Sequence, residues 1–147
     1  MQRYGVFHIL DKVLVVEDDA VIEKLIEYRL HALGYTVCGN ADTAEGALFC
    51  AMSLSPDVIL MDIHLKGTLD GIDAARIIRK SLPLRIIFLT GLTNPEIIRR
   101  AKEVHPDGFI QKPFSDTDLR VALTLAHRDP VPGDSPYQNK EEPVSIK

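Results

Sequence analysis

The chain has 147 residues, 46% of them hydrophobic and 26% charged, with a formal net charge of -4. That length and balance fit one ordinary soluble globular domain with a real core, and the acidic excess argues against a nucleic-acid-binding surface, which is ordinarily basic. No uninterrupted apolar segment reaches membrane-spanning length. The opening Met1 to Leu10 has too short an apolar run, and no small-residue cleavage site, for a signal peptide. The expectation is therefore a cytoplasmic protein without direct nucleic-acid or membrane contacts. Cys38 and Cys50 lack any CxxC or zinc-like spacing and read as half-buried reduced thiols.

After an N-terminal arm over residues 1–10, Lys12 to Val16 reads as a buried strand followed by Glu17, Asp18 and Asp19. From Ala20 the period becomes helical, placing Ile22, Leu25, Ile26, Leu30 and Leu33 on one face, with Gly34 as the stop. Tyr35 to Cys38 predicts a short second strand. Asp42 or Thr43 caps a second helix carrying Ala44, Ala47, Leu48 and Ala51 inward, closed by Pro56. The run Val58-Ile59-Leu60-Met61 is apolar throughout, as a buried parallel strand should be, and ends abruptly in Asp62. A loop from His64 to Asp70 leads to a third helix, from Gly71 to before Pro83, with Ile72, Ala75 and Ile78 inward.

Arg85 to Leu89 is a fourth strand ending in Thr90-Gly91. Thr93 or Asn94 caps a fourth helix, with Pro95 in its first turn and Ile97, Ala101 and Val104 on its apolar face. Gly108 to Ile110 is a fifth strand, ending at Gln111-Lys112-Pro113. Ser115 or Asp116 caps a last helix with Leu119, Ala122, Leu123 and Ala126 inward. The domain thus spans 11–127, and residues 128–147 have the Pro-rich composition of a tail or linker stub. Five alternations of strand and helix imply an α/β fold with a parallel, doubly wound sheet.

In such a sheet all strand C-termini share one edge, where open α/β folds place their chemistry. Glu17 and Asp18 follow strand one, Asp62 ends strand three, Thr90 ends strand four and Lys112 follows strand five. Clustered carboxylates repel one another and call for a cation. Mg²⁺ is hard, takes oxygen ligands and keeps waters for an incoming phosphate. Lys112 is a compact positive charge suited to a phosphoryl oxygen, and Thr90 offers a hydroxyl. Together these residues suit attack by Asp62 on phosphorus while metal and lysine neutralise the equatorial oxygens. Singly each has a plainer reading: an acidic helix start, a turn cap, a β-former, a solvated lysine. Jointly the plain readings require four coincidences at one sheet edge.

The motifs VLVVEDD, ILMDI, DGIDAA, IIFLTG and GFIQKPF, in that order, make residues 11–127 resemble a receiver domain of the two-component response regulators. The resemblance implies a flavodoxin-like (βα)5 three-layer sandwich with strand order 2-1-3-4-5. It implies Mg²⁺, with Mn²⁺ as the alternative, bound by Glu17, Asp18, Asp62 and the backbone carbonyl of His64. Asp62 is then the phosphoacceptor for a histidine kinase or phosphotransfer protein. Thr90 and Lys112 are the phosphate-contacting pair, Phe109 the aromatic switch residue, and Lys112-Pro113 a cis bond. The surface of the fourth helix, fifth strand and fifth helix would signal to a downstream partner, a fused output domain or a second copy. Such a domain is a switch, not an enzyme beyond its own phosphorylation and dephosphorylation.

Three departures stand out: Phe109 lacks the hydroxyl of the commoner Tyr, the loop Leu65 to Gly71 is one residue longer than the usual Met-Pro version, and His64 sets an imidazole beside the phosphoacceptor. That imidazole is expected to tune water access rather than to catalyse. A phosphohydrolase of the haloacid-dehalogenase type also uses Asp, Mg²⁺, Thr and Lys. It needs an Asp where this chain has His64, and a cap domain. A receiver that only docks is the remaining alternative, against which the intact acidic cluster speaks.

Overall fold

The computed structural model describes residues 12–91 and 94–127. The expected arm and tail, with residue 11, Leu92 and Thr93, lie outside the described residues. Strands β1 (Lys12–Val16), β2 (Thr36–Ala41), β3 (Val58–Asp62), β4 (Arg85–Thr90) and β5 (Gly108–Gln111) alternate with helices α1 (Ala20–Ala32), α2 (Ala44–Leu54), α3 (Gly71–Ser81), α4 (Pro95–Lys102) and α5 (Asp116–Ala126). All pairings are parallel, in the order β2-β1-β3-β4-β5. This is the flavodoxin-like architecture.

Side-chain alternation along each strand feeds two cores. Leu14, Val16, Ile59, Met61, Ile86 and Phe88 point to the face covered by α2, α3 and Ala101 of α4. Val13, Val15, Val58, Leu60, Ile87 and Leu89 point to the face covered by α1 and α5. Every residue of β3 is buried, which is why it shows no polar alternation and why a charge at its end is conspicuous.

The caps resolve the alternatives left by the sequence. Thr43 caps α2 by accepting from the Gly46 amide, Asn94 caps α4, and Ser115 caps α5 through a capping box with Asp118. Gly34, at φ 95°, supplies the left-handed residue after α1.

Two expectations fail. The second strand starts at Thr36 and continues to Ala41, three residues beyond Cys38. A register shift between Val13 and Leu14 passes over Cys38, so Val13 pairs with Val37 and Leu14 with Gly39. Gly39, Asn40 and Ala41 are weak strand formers, held there by pairing with β1 rather than by propensity. Leu25 is not inward but 43% exposed, while Glu23 is only 7% exposed. The buried stripe of α1 runs through Glu23, Ile26 and Leu30, and Leu25 lies one 100° step off it.

Candidate functional site

Parallel pairing brings the ends of β1, β3, β4 and β5 to one edge. Hydrogen bonds from the Lys112 amide to the Thr90 carbonyl (2.8 Å) and from the Ile63 amide to the Leu89 carbonyl (3.1 Å) fix neighbouring strand ends against each other. There Lys112 Nζ donates to Glu17 Oε1 at 2.8 Å and to Asp62 Oδ2 at 2.9 Å. One ligand oxygen from each of Glu17, Asp18 and Asp62 lies within 4.8 Å of the others. Glu17, Asp62 and Thr90 are buried, and Asp18 is half-buried.

The other oxygens of Glu17 and Asp62 are also held. Glu17 Oε2 accepts from the Asp19 amide at 3.1 Å, and Asp62 Oδ1 from the His64 amide at 3.1 Å. Asp19 itself turns away to cap α1, accepting from the Val21 and Ile22 amides. The acidic triplet thus divides into site residues and a helix cap. Burial pushes the Glu17 carboxyl above its usual range and the Asp62 charge adds to this, while Lys112 pulls it back. Burial opposes the Lys112 ammonium, yet its bonds to Glu17 and Asp62 prevail and hold its pKa above the ordinary lysine value.

Three carboxylates and one ammonium in a largely buried pocket leave negative charge uncompensated. An all-oxygen donor set of that kind fits a hard divalent cation. Among the remaining predicted site residues, Thr90 sits at the end of the strand next to Asp62. Phe109 is half-buried and lies against Phe88 in register, ring centroids 5.8 Å apart. His64 contributes its amide, and its side chain is exposed. The Lys112-Pro113 bond is cis.

One residue that sequence reasoning passed over also shapes the site. A Cβ on Gly71 would stand 2.2 Å from the Asp62 carbonyl oxygen, so only glycine lets the start of α3 lie this close to the acidic residue. The signal was visible as Asp70-Gly71 opening the helix. Away from the site, Glu23 of α1 has an Oε2 that is buried without a hydrogen-bond partner among the described residues.

A strand-end cluster of this composition on a 2-1-3-4-5 sheet defines a class, and comparison with known proteins agrees with it. Residues 13–124 match the response regulator receiver domain family, and the chain belongs to that family. It is 33% identical over 115 residues to the transcriptional regulatory protein PdtaR of Mycobacterium tuberculosis, covering 78% of this chain and 56% of that protein. It is 33% identical over 137 residues to the phosphate regulon transcriptional regulatory protein PhoB of Pseudomonas aeruginosa, covering 91% of this chain and 57% of that protein. The chain thus spans about half the length of these relatives.

Among solved structures, the signal receiver domain of a modulated diguanylate cyclase from Desulfovibrio desulfuricans superposes with a TM-score of 0.76 at 38% identity, covering 80% of this chain and 94% of that one. The response regulator domain of Thermotoga maritima CheB gives 0.68 at 31%, covering 82% and 99%. Receiver domains are signalling domains of two-component systems, which work with histidine kinases and output domains. No helix among the described residues is long and apolar enough to cross a membrane.

Proposed function

We propose that the domain is a phosphorylation switch in which Asp62 accepts a phosphoryl group from the phosphohistidine of a sensor kinase or phosphotransfer protein. A carboxylate oxygen of Asp62 attacks phosphorus, the P–N bond breaks, and the imidazole leaves with the electron pair and takes up a proton. Glu17, Asp18, Asp62 and the His64 carbonyl would hold Mg²⁺ (or Mn²⁺), which supplies positive charge to the phosphoryl oxygens. Lys112 neutralises another oxygen, and Thr90 hydrogen-bonds the product. Phe109 follows Thr90 inward, and α4, β5 and α5 exchange one packing for another.

The observation that carries this reading is the bridge from Lys112 Nζ to both Glu17 and Asp62, which unites the ends of three strands around one acidic pocket. The surface expected to respond is of mixed polar and apolar character. A groove of about 560 Å³ between β5 and α5 is lined by Phe109, Gln111, Pro113, Val121 and Leu125, with Val121 47% and Leu125 61% exposed. A downstream protein, a fused output domain or a second copy would bind there, in the cytoplasm. Incubation with acetyl phosphate and Mg²⁺ should add one phosphoryl mass to the wild type, none to Asp62→Asn, and none after EDTA. A folded wild type that gains no mass would favour a docking-only domain.

A further inference from the structure

The third and fourth helices are joined by an arginine whose partners are already committed to the α3 cap. Asp70 and Asp73 form the capping box of α3: the Asp70 amide donates to Asp73 Oδ2, and the Asp73 amide to Asp70 Oδ1, both at 2.9 Å. Each carboxylate thus has one oxygen left, and both face the guanidinium of Arg100 on α4. Arg100 Nη1 donates to Asp70 Oδ2 at 3.0 Å and Nη2 to Asp73 Oδ1 at 3.4 Å. The three side chains are 27–28% exposed, so the fork is partly shielded from water. Burial alone would raise the Asp70 carboxyl, but the bonds from Arg100 and the Asp73 amide outweigh it and hold it below its usual range. Arg76, 3.7 Å from Asp73 and 3.9 Å from Glu103, extends the charged seam between the helices.

This fork matters because of what lies on either side. Gly71, between the two carboxylates in sequence, is pressed against the Asp62 carbonyl and donates its amide to the Ile63 carbonyl at 2.8 Å. On the other side, α4 has little apolar anchorage, since Ala101 is its one buried residue. The fork therefore adds a charged tie to the apolar contacts that Ile97 and Ala101 make with the core. A route of two contacts runs from the Asp62–Ile63 backbone to Gly71 at the α3 cap, and from the cap to Arg100 of α4.

We infer that Arg100 is a positioning residue that ties α4 to the Asp62 loop, so that a change at Asp62 reaches α4 through the α3 cap. The relay rests on the phosphoacceptor reading above; the tie itself does not. Neighbouring Arg99 supplies the control. It has the same charge on the same helix, but it is exposed and, among the described residues, pairs with Glu96 of α4 and with the α4 C-cap Glu103.

The test is amide hydrogen exchange of the full chain, with and without Mg²⁺ plus beryllium fluoride as the phosphoryl probe. Without the probe, Arg100→Ala should speed exchange in α4 about tenfold over wild type, a scale set by local opening energies, with β3 unchanged. Arg99→Ala should change it less than twofold, and Arg100→Lys, which keeps charge but loses the fork, should fall between. With the probe, the wild type should show an altered exchange rate in α4 that Arg100→Ala no longer shows, while fluorine resonances report that the probe still binds. Equal effects of Arg99→Ala and Arg100→Ala would overturn the tie. A wild-type response retained in Arg100→Ala would overturn the relay alone. A wild type that binds no probe would refute the phosphoacceptor reading and the relay with it.

Discussion

Helices α3 and α4 are neighbours on one face of the sheet, and they are held there by different forces. In α3, Ile72, Ala74, Ala75 and Ile78 are buried along with Gly71. In α4 only Ala101 is, and Ile97, Ile98 and Arg100 are half-covered. Both helices begin with a good cap, so the contrast is not in their ends. Apolar burial is non-directional but hard to undo, whereas charge pairs near a surface are weak singly and can re-form elsewhere. The helix that sets the Asp62 loop is thus anchored by apolar burial, and α4, on the face proposed to respond, has less of it. Segments that move in switching are drawn from the low-stability end of a fold.

Truncating each helix at its inward isoleucine tests this directly. Ile78→Ala removes a fully buried side chain and should lower unfolding stability by about 2–5 kcal/mol. Ile97→Ala removes a half-covered one and should cost under about 1.5 kcal/mol. Urea unfolding of the two variants measures the difference, and equal losses would erase the contrast. Gly71→Ala sharpens it, because its Cβ would meet the Asp62 carbonyl at 2.2 Å. The start of α3 must then back away from β3, at about 1–3 kcal/mol, the usual range for overpacking. Mg²⁺ affinity should fall with it; a variant with wild-type stability would show that α3 is not so firmly seated.

This contrast was only partly legible in the sequence. The strands were legible because β3 and β4 are buried from end to end and carry unbroken apolar runs. The acidic cluster and Lys112 were legible because each charge interrupts or follows such a run. The end of β2 was not, since Gly39 and Asn40 have no strand propensity and only their neighbour β1 holds them. Nor was the exchange of Leu25 for Glu23 on the inner face of α1, because apolar periodicity cannot announce a buried carboxyl. The fork of Arg100 was least legible of all. Its partners stand 30 and 27 positions away, and nothing local marks them.

That buried carboxyl of α1 offers the opposite electrostatic case, a charge the fold resists rather than exploits. Burial first, and then the bond and charge of Glu27, together raise Glu23 to about 7. Glu27 is lowered by accepting that bond. The favourable form is protonated Glu23, so its contribution is full below about 4.5 and is lost as pH rises through about 7. Glu23→Gln keeps a donor toward Glu27 at every pH. It should therefore match wild type near pH 4 and exceed it at pH 8 by about 1–2 kcal/mol, less than the full linkage value because Glu27 offsets it. A gap that does not grow with pH would mean that Glu23 stays charged. The α3–α4 seam, with Asp70 held low, should be indifferent over the same range.

The smallest effect discriminates most finely, because the same substitution chemistry can be placed in a seated helix and in a loose one. Asn94 caps α4 by accepting from the Glu96 amide at 2.8 Å, and Ser115 caps α5 by accepting from the Asp118 amide at 3.0 Å. Loss of either cap should cost its helix about 1 kcal/mol. In α5, where Leu119 and Leu123 are fully buried, the helix cannot open without the core, so Ser115→Ala should show the whole loss in global unfolding. In α4 the helix can open alone. Asn94→Ala should therefore leave the urea midpoint almost unchanged and speed amide exchange within α4 about fivefold, the factor that 1 kcal/mol represents. If both variants instead lower the midpoint equally, α4 unfolds with the core, and its loose seating cannot be the basis of its movement.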